Sequence, residues 1–221
     1  MKDLLHALQG VSDRKLSSEE LLNIVRMNTT APCLVEYIEV SPAPILYRHQ
    51  LGFYKFVLAE VPGLFSRRIR LHFWENGNFE DDVHDHISSF ASKVLIGELR
   101  NHLYENDLSG DEFFENIFCA KEHGCHQRAG NVSRVRLASR ERISVRSGES
   151  YYLNSRKLHR LEVVTDRLAT VVVQDTPEQK PIAVFRRETN NSVLSESPAP
   201  LPAQEAQRVW LALADLIREA A

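Results

Sequence analysis

The sequence predicts an all-β barrel or sandwich, with short helices before it and one helix after it. Three observations predict this. Short apolar runs with strand-like alternation occupy residues 45–187, turn-forming stretches separate them, and helical spacing is confined to the two ends. In Arg68-Ile69-Arg70-Leu71-His72-Phe73-Trp74, for example, Ile69, Leu71 and Phe73 alternate with Arg70, His72 and Trp74, as a half-buried strand requires. At 221 residues the chain can bury one substantial core, so a single domain over 1–221 is expected.

Taken in order, Leu4, Leu5 and Leu8 form a first helical stripe. A second helix opens at Ser17-Ser18-Glu19-Glu20, with Ser17 as N-cap and Glu20 as its capping-box partner. Leu21, Leu22, Ile24 and Val25 supply its apolar face. Pro32, and later Pro42 and Pro44, are expected to end helical character, leaving the N-terminal helices within 1–30. Strand-like runs follow at 53–58, 68–74, 92–96, 132–137, 149–153, 161–164 and 169–173, and Glu75-Asn76-Gly77-Asn78 reads as a turn. Residues 105–131 are expected to form a long loop covering the barrel mouth. Residues 188–203, with Asn190-Asn191-Ser192 and three prolines, read as a linker. Residues 204–220 are helical: Val209, Leu213 and Leu216 share a face with Trp210 and Ile217 beside it, and docking on the barrel is expected rather than a dimerisation helix.

Composition excludes several classes. With 43% apolar and 26% charged residues the chain is an ordinary globular one. A formal charge of −3 with interspersed signs gives no case for nucleic acid, and Arg67-Arg68-Ile69-Arg70 reads as one solvated strand edge. No apolar run has membrane-spanning length, and Met1-Lys2-Asp3-Leu4-Leu5-His6 is too polar for a signal peptide. Three cysteines, an odd number, point to a reducing, cytoplasmic location. A homodimer is compatible with the sequence.

The chemistry-bearing feature is the pair His84 and His86 in Asp82-Val83-His84-Asp85-His86, with His159 far downstream, eleven residues after Gly148. Residues i and i+2 of a strand share a face, so the pair points one way, and a third imidazole from another strand would close a facial metal site. Three histidines plus water also describe catalytic zinc. Asp85 falls off the ligand face and reads as structural. The lone histidines His6, His102 and His123 read as ordinary. The cluster Cys119-Ala120-Lys121-Glu122-His123-Gly124-Cys125-His126 fits zinc spacing poorly and reads as loop.

These residues resemble the cupin motifs. His84 and His86 fit the His-x-His pair, Gly97 the closing glycine of the first motif, and Gly148 and His159 the start and the histidine of the second. Phe90 stands where the acidic ligand would be. A three-histidine set without carboxylate is similar to the cysteine dioxygenase-like thiol dioxygenases. Val83-His84-Asp85-His86 resembles their Ile-His-Asp-His, and the stretch from Tyr152 to Glu162 resembles their Tyr-Ile-Asn-Asp…Leu-His-Arg-Val-Glu. The resemblance implies a double-stranded β-helix, or jelly-roll barrel, holding ferrous iron on His84, His86 and His159, with zinc, nickel and manganese as alternatives. It implies a dioxygenase or oxygenase using dioxygen on a small polar, metal-chelating substrate such as a thiol, amino acid or keto acid. A non-oxidative isomerase, epimerase or lyase, and a small-ligand sensor, stay open. Val173 and Asp175 stand where that group has a His-x-Tyr strand, and Ala91 stands near its crosslinking cysteine. Arg48 or His49 is the candidate reader of substrate charge, and Tyr152 a candidate acid or hydrogen-bond donor. His72 and Gln174 are further candidates to line the cavity.

Overall fold

The computed structural model describes residues 1–49, 52–75, 82–120, 126–188 and 199–220. Its helices are α1 (Lys2–Gln9), α2 (Ser18–Asn28), α3 (Ala31–Val40) and α4 (Ala203–Ala220). Its strands are β1 (Leu46–Arg48), β2 (Tyr54–Val61), β3 (Arg67–Trp74), β4 (Val83–His84), β5 (Phe90–Ile96), β6 (Glu98–Ala120), β7 (His126–Arg146), β8 (Ser150–Leu153), β9 (Leu158–Val163), β10 (Leu168–Gln174) and β11 (Ile182–Arg186).

The strands form a six-stranded sheet, β1-β2-β3-β10-β5-β8, and a five-stranded sheet, β11-β4-β9-β6-β7. From β3 to β6 the chain changes sheet at every strand, reverses through the β6–β7 hairpin, and winds back from β7 to β11 the same way. That winding is a double-stranded β-helix, the all-β cupin fold. Trp74, Val94 and Leu168 from the first sheet meet Leu99, Val145, Leu161 and Val163 from the second, so the sheets pack face to face.

Alternation divides the six-stranded sheet cleanly. Phe56, Ile69, Leu71, Phe73, Ala91, Ala169, Val171 and Val173 point outward into a core closed by Leu4, Leu8, Leu21, Val25, Leu34, Ile38 and Trp210 of the four helices. Trp210 lies against Tyr37 of α3 and Phe56 of β2, with ring centroids 6.2 and 4.9 Å apart, so α4 is docked on the barrel. The opposite face lines the interior. Among the described residues no helix is long and apolar enough to cross a membrane.

Ser17 and Glu20 form the capping box that their spacing predicts: the Ser17 hydroxyl accepts from Glu20 N, and the Glu20 carboxylate accepts from Ser17 N. Three readings need correction. Pro32 does not end helical character; it sits in the first turn of α3, where its missing N–H would have had no helical partner, and Thr30 caps the helix by accepting from Cys33 N. Residues 105–131 are not a long loop, because β6 and β7 pair along most of that stretch, with register shifts at 106–111 and 115–117. Arg67 to Arg70 are not a solvated edge, since β3 lies between β2 and β10. Arg67 is 2% exposed, donating to Asp175 and to the carbonyls of Val11 and Arg14. The turn at 76–78, together with His123, Cys125 and most of the 188–203 linker, lies outside the described residues. At the end of that linker Pro200 bridges to Tyr47, and Leu201 N donates to the Leu46 carbonyl.

Candidate metal centre

The site is assembled by strand pairing. His84 on β4 stands directly opposite His159 on β9, which puts their side chains on one face. His86 lies just beyond β4, and its backbone N–H donates to the Ser155 carbonyl, 3.0 Å away. Asp85 points the other way: it accepts from Ala183 N at 2.7 Å and pairs with Lys180 at 2.7 Å. That anchor on the strand approaching from the far side holds the His-x-His backbone in place.

One nitrogen of each of His84, His86 and His159 lies within 4.8 Å of the others. The ring centroids are 4.8–4.9 Å apart, and the Nε2 atoms of His86 and His159 are 2.8 Å apart. Two neighbours select the tautomers. The His159 Nδ1–H donates to Asn101 Oδ1 at 3.1 Å, and the His84 Nδ1–H donates to the Asp82 carbonyl at 3.2 Å. Both rings therefore present the Nε2 lone pair to the shared space. Burial pushes all three pKa values down, with mutual repulsion adding to it at His86 and His159. At His84 the Asp82 carbonyl, Asp82 and Asp85 act in the other direction. Neutral imidazoles with converging lone pairs are what a borderline divalent metal needs, so this group could hold a metal ion.

Phe90 faces this group, its ring 5.0 Å from that of His86 and edge-on to it. An apolar ring thus occupies the place where a carboxylate ligand was absent from the sequence. His49 and His72 look into the same interior. His49 stacks on Phe53 with centroids 4.3 Å apart, and Phe53 lies 4.9 Å from His72 and 4.6 Å from Trp74. Burial lowers His49 to about 3 and His72 well below the usual imidazole value, so both are neutral near pH 7.

Of the residues expected at the site, the structure brings His84, His86 and His159 together, with His49 and His72 on the same side. Gln174 shares its face with Phe90, its β5 partner. Arg48 and Tyr152 lie elsewhere. Arg48 pairs in register with Tyr54 and spreads over that ring on the helix-covered face, at the exposed rim. Tyr152 packs into the helix-side core, and its neighbour Tyr151 is the one that turns inward, edge-on to Phe90. Val173 belongs to the helix-side core and Asp175 holds Arg67, so neither serves the site. His102 is an ordinary strand histidine, bonded to Glu162 at 2.7 Å.

Asn101 escaped sequence reading, although a signal existed. It is a polar residue in the inward row Leu99, Asn101, Leu103 of β6, and it is only 2% exposed. Lys55 and Arg70, also on the inner face, were concealed by ordinary strand alternation.

No protein-family model and no curated protein matches the chain. Among solved structures it is similar to one chain from the crystal structures of the DMSP lyases RdDddP and RnDddQII, at 17% identity over 78% of this chain and 71% of that one, with a TM-score of 0.37. It is also similar to a cupin 2 conserved barrel domain protein from Rhodopseudomonas palustris, at 12% identity over 62% and 73%, TM-score 0.37. A cupin superfamily protein from Desulfitobacterium hafniense DCB-2 is similar at 10% identity over 58% and 81%, TM-score 0.34. These are distant likenesses; the winding of the strands themselves makes this molecule an all-β cupin barrel with a three-histidine group inside it.

Proposed function

We propose that the chain is a mononuclear non-heme iron-dependent oxygenase that joins dioxygen to a small polar substrate able to chelate the metal. The observation that carries this reading is the convergence of three neutral imidazoles, joined by no carboxylate among the described residues. Such a donor set fits ferrous iron and leaves its charge uncompensated, so anionic ligands are favoured at its open positions. Bound to His84, His86 and His159, the iron would supply the activation of dioxygen that no side chain here can provide.

The protein's own contribution is positioning and exclusion. Asn101 and the Asp82 carbonyl fix the ligand tautomers. Phe90 sets an apolar ring edge-on to His86, which restricts water beside the reacting group. One observation favours a second reading, a non-oxidative isomerase, epimerase or lyase: His49 and His72 are imidazoles outside the ligand set that line up with Phe53 on the inner face and could hydrogen-bond a substrate held by a Lewis-acid metal.

The test is an oxygen-electrode screen of iron-loaded protein against thiols, amino acids and keto acids, with product mass spectrometry. Oxygen uptake matched by an oxygenated product is the expected result. Turnover of the same substrate under strict anaerobiosis would replace the oxygenase reading with the non-oxidative one.

A further inference from the structure

His84 belongs to β4 and His159 to β9, whereas His86 lies two residues past the end of β4. Asn101 and the Asp82 carbonyl hold the Nδ1 of the other two rings, but among the described residues the His86 Nδ1 has no hydrogen-bond partner. The His86 ring is therefore aimed by the backbone that carries it and by the Phe90 edge, 5.0 Å away. That backbone, residues 86–89, is held from two sides. On one side is a turn at 154–157, closed by Lys157 N donating to the Asn154 carbonyl and Arg156 N to Asn154 Oδ1, each at 3.0 Å. From this turn the Ser155 carbonyl accepts from His86 N, and Ser155 N donates to Ser89 Oγ, both at 3.0 Å. On the other side is the segment between β10 and β11. Asp175 N donates to the Ser89 carbonyl at 2.9 Å, and Glu178 N to the Ile87 carbonyl at 2.8 Å.

A side-chain bond joins the two holders. The Ser155 hydroxyl, in a residue 0% exposed, donates to one oxygen of the Glu178 carboxylate, and Arg156 pairs with the other at 3.2 Å. A hydroxyl–carboxylate bond is about twice as strong as a neutral one. A hydroxyl buried this completely also costs stability once its acceptor is lost. The bond fixes the spacing between the two segments, and that spacing is the slot residues 86–89 occupy. The Arg156 side chain is 76% exposed at the rim, so its share is small.

We infer that Ser155 and Glu178 are positioning residues for His86: their bond sets the width of the slot, and so the place from which this imidazole reaches the space it shares with His84 and His159. The inference rests on the metal site of the oxygenase reading and not on the reaction performed there. Glu178 is no member of the three-histidine group; its effect passes through Ser155 to the hydrogen bond between the Ser155 carbonyl and His86 N.

The experiment uses the full chain and has two readouts. In metal-free protein, hydrogen exchange of the His86 amide is followed by NMR relative to the amides of β10. With cobalt(II) added, affinity is measured by competition with a chromophoric chelator, and the visible spectrum reports the ligand field. Ser155→Ala, which keeps the backbone carbonyl and N–H, should speed His86 exchange about tenfold or more and weaken cobalt binding by a similar factor. Glu178→Ala should do the same. Glu178→Gln, which keeps an acceptor for the hydroxyl, should lose less on both readouts. Trp210→Ala, which loosens the core on the far side of the sheet, should leave the cobalt affinity and spectrum of the folded fraction as in wild type, so lost stability alone does not reproduce the pattern. Unchanged exchange or unchanged cobalt affinity in Ser155→Ala and Glu178→Ala, or a loss in Glu178→Gln as large as in Glu178→Ala, would each overturn the pair's role. Should Glu178→Ala not fold, Ser155→Ala carries the test. Wild-type protein that takes up no cobalt would count against the metal centre instead, and the exchange readout would still decide whether the pair holds His86.

Discussion

Asn101 decides which nitrogen His159 offers to the cavity, and it does so from a position that makes no direct approach to a metal. Replacing it with Ala leaves the His159 Nδ1–H without its acceptor and lets the ring change tautomer. Metal affinity of Asn101→Ala should fall about 10- to 100-fold, measured by competition with a chromophoric chelator; an unchanged affinity would contradict the assigned tautomer. His49 makes a different prediction. Its folded pKa is about 3 against the ordinary 6.5, so below pH 6.5 the unfolded chain binds a proton that the folded chain refuses. Its contribution to stability is present above pH 6.5 and is lost as the pH falls toward 3. In urea unfolding across that range, His49→Phe should show a shallower loss of stability than wild type. The remaining slope comes from His72, His84, His86 and His159, all shifted the same way, and from the carboxylates of Glu20, Asp107, Glu162 and Glu178, held below their usual range. Identical slopes would remove His49 from the buried set.

At the scale of elements, strand junctions constrain the sequence most. Gly97, between β5 and β6, has φ +81°, and a Cβ there would lie 2.2 Å from the Arg167 carbonyl oxygen. Gly97→Ala should cost about 1–3 kcal/mol in chemical denaturation, since strained backbone and steric conflict coincide; a neutral substitution would show that the junction yields. Strands built on a clear apolar run were legible: β2, β3, β5 and β8–β10 fall on runs read from the sequence, and the capping box fixes the start of α2. Elements without such a run were not. β1 is three residues long, too short for a period to register, and β11 follows Pro177 and Pro181. The outer parts of β6 and β7 are mostly exposed and rich in Arg, Glu, Asp and Ser, a composition that reads as loop although the two strands pair with each other. Within the site, the His-x-His pair and His159 were legible because imidazoles at that spacing are rare. Asn101 was not, because one polar residue in an apolar strand carries no motif until its partner is known.

Across the whole molecule, stability and chemistry occupy opposite faces of one sheet. The large apolar core lies outside the barrel, between the six-stranded sheet and the helices, with Trp210 buried at its centre. The polar groups that define the site lie inside. Trp210→Ala should therefore cost about 3–5 kcal/mol of stability, measured by denaturant unfolding, while leaving the metal content of the folded fraction unchanged. A parallel loss of metal would mean that the two faces are coupled. The most direct measurement of the central claim is anomalous diffraction from crystals grown with ferrous iron under anaerobic conditions. One metal peak within coordinating distance of the Nε2 atoms of His84, His86 and His159 is the predicted result. A fully folded barrel with no peak there at saturating iron, or with the ion bound elsewhere, would contradict it.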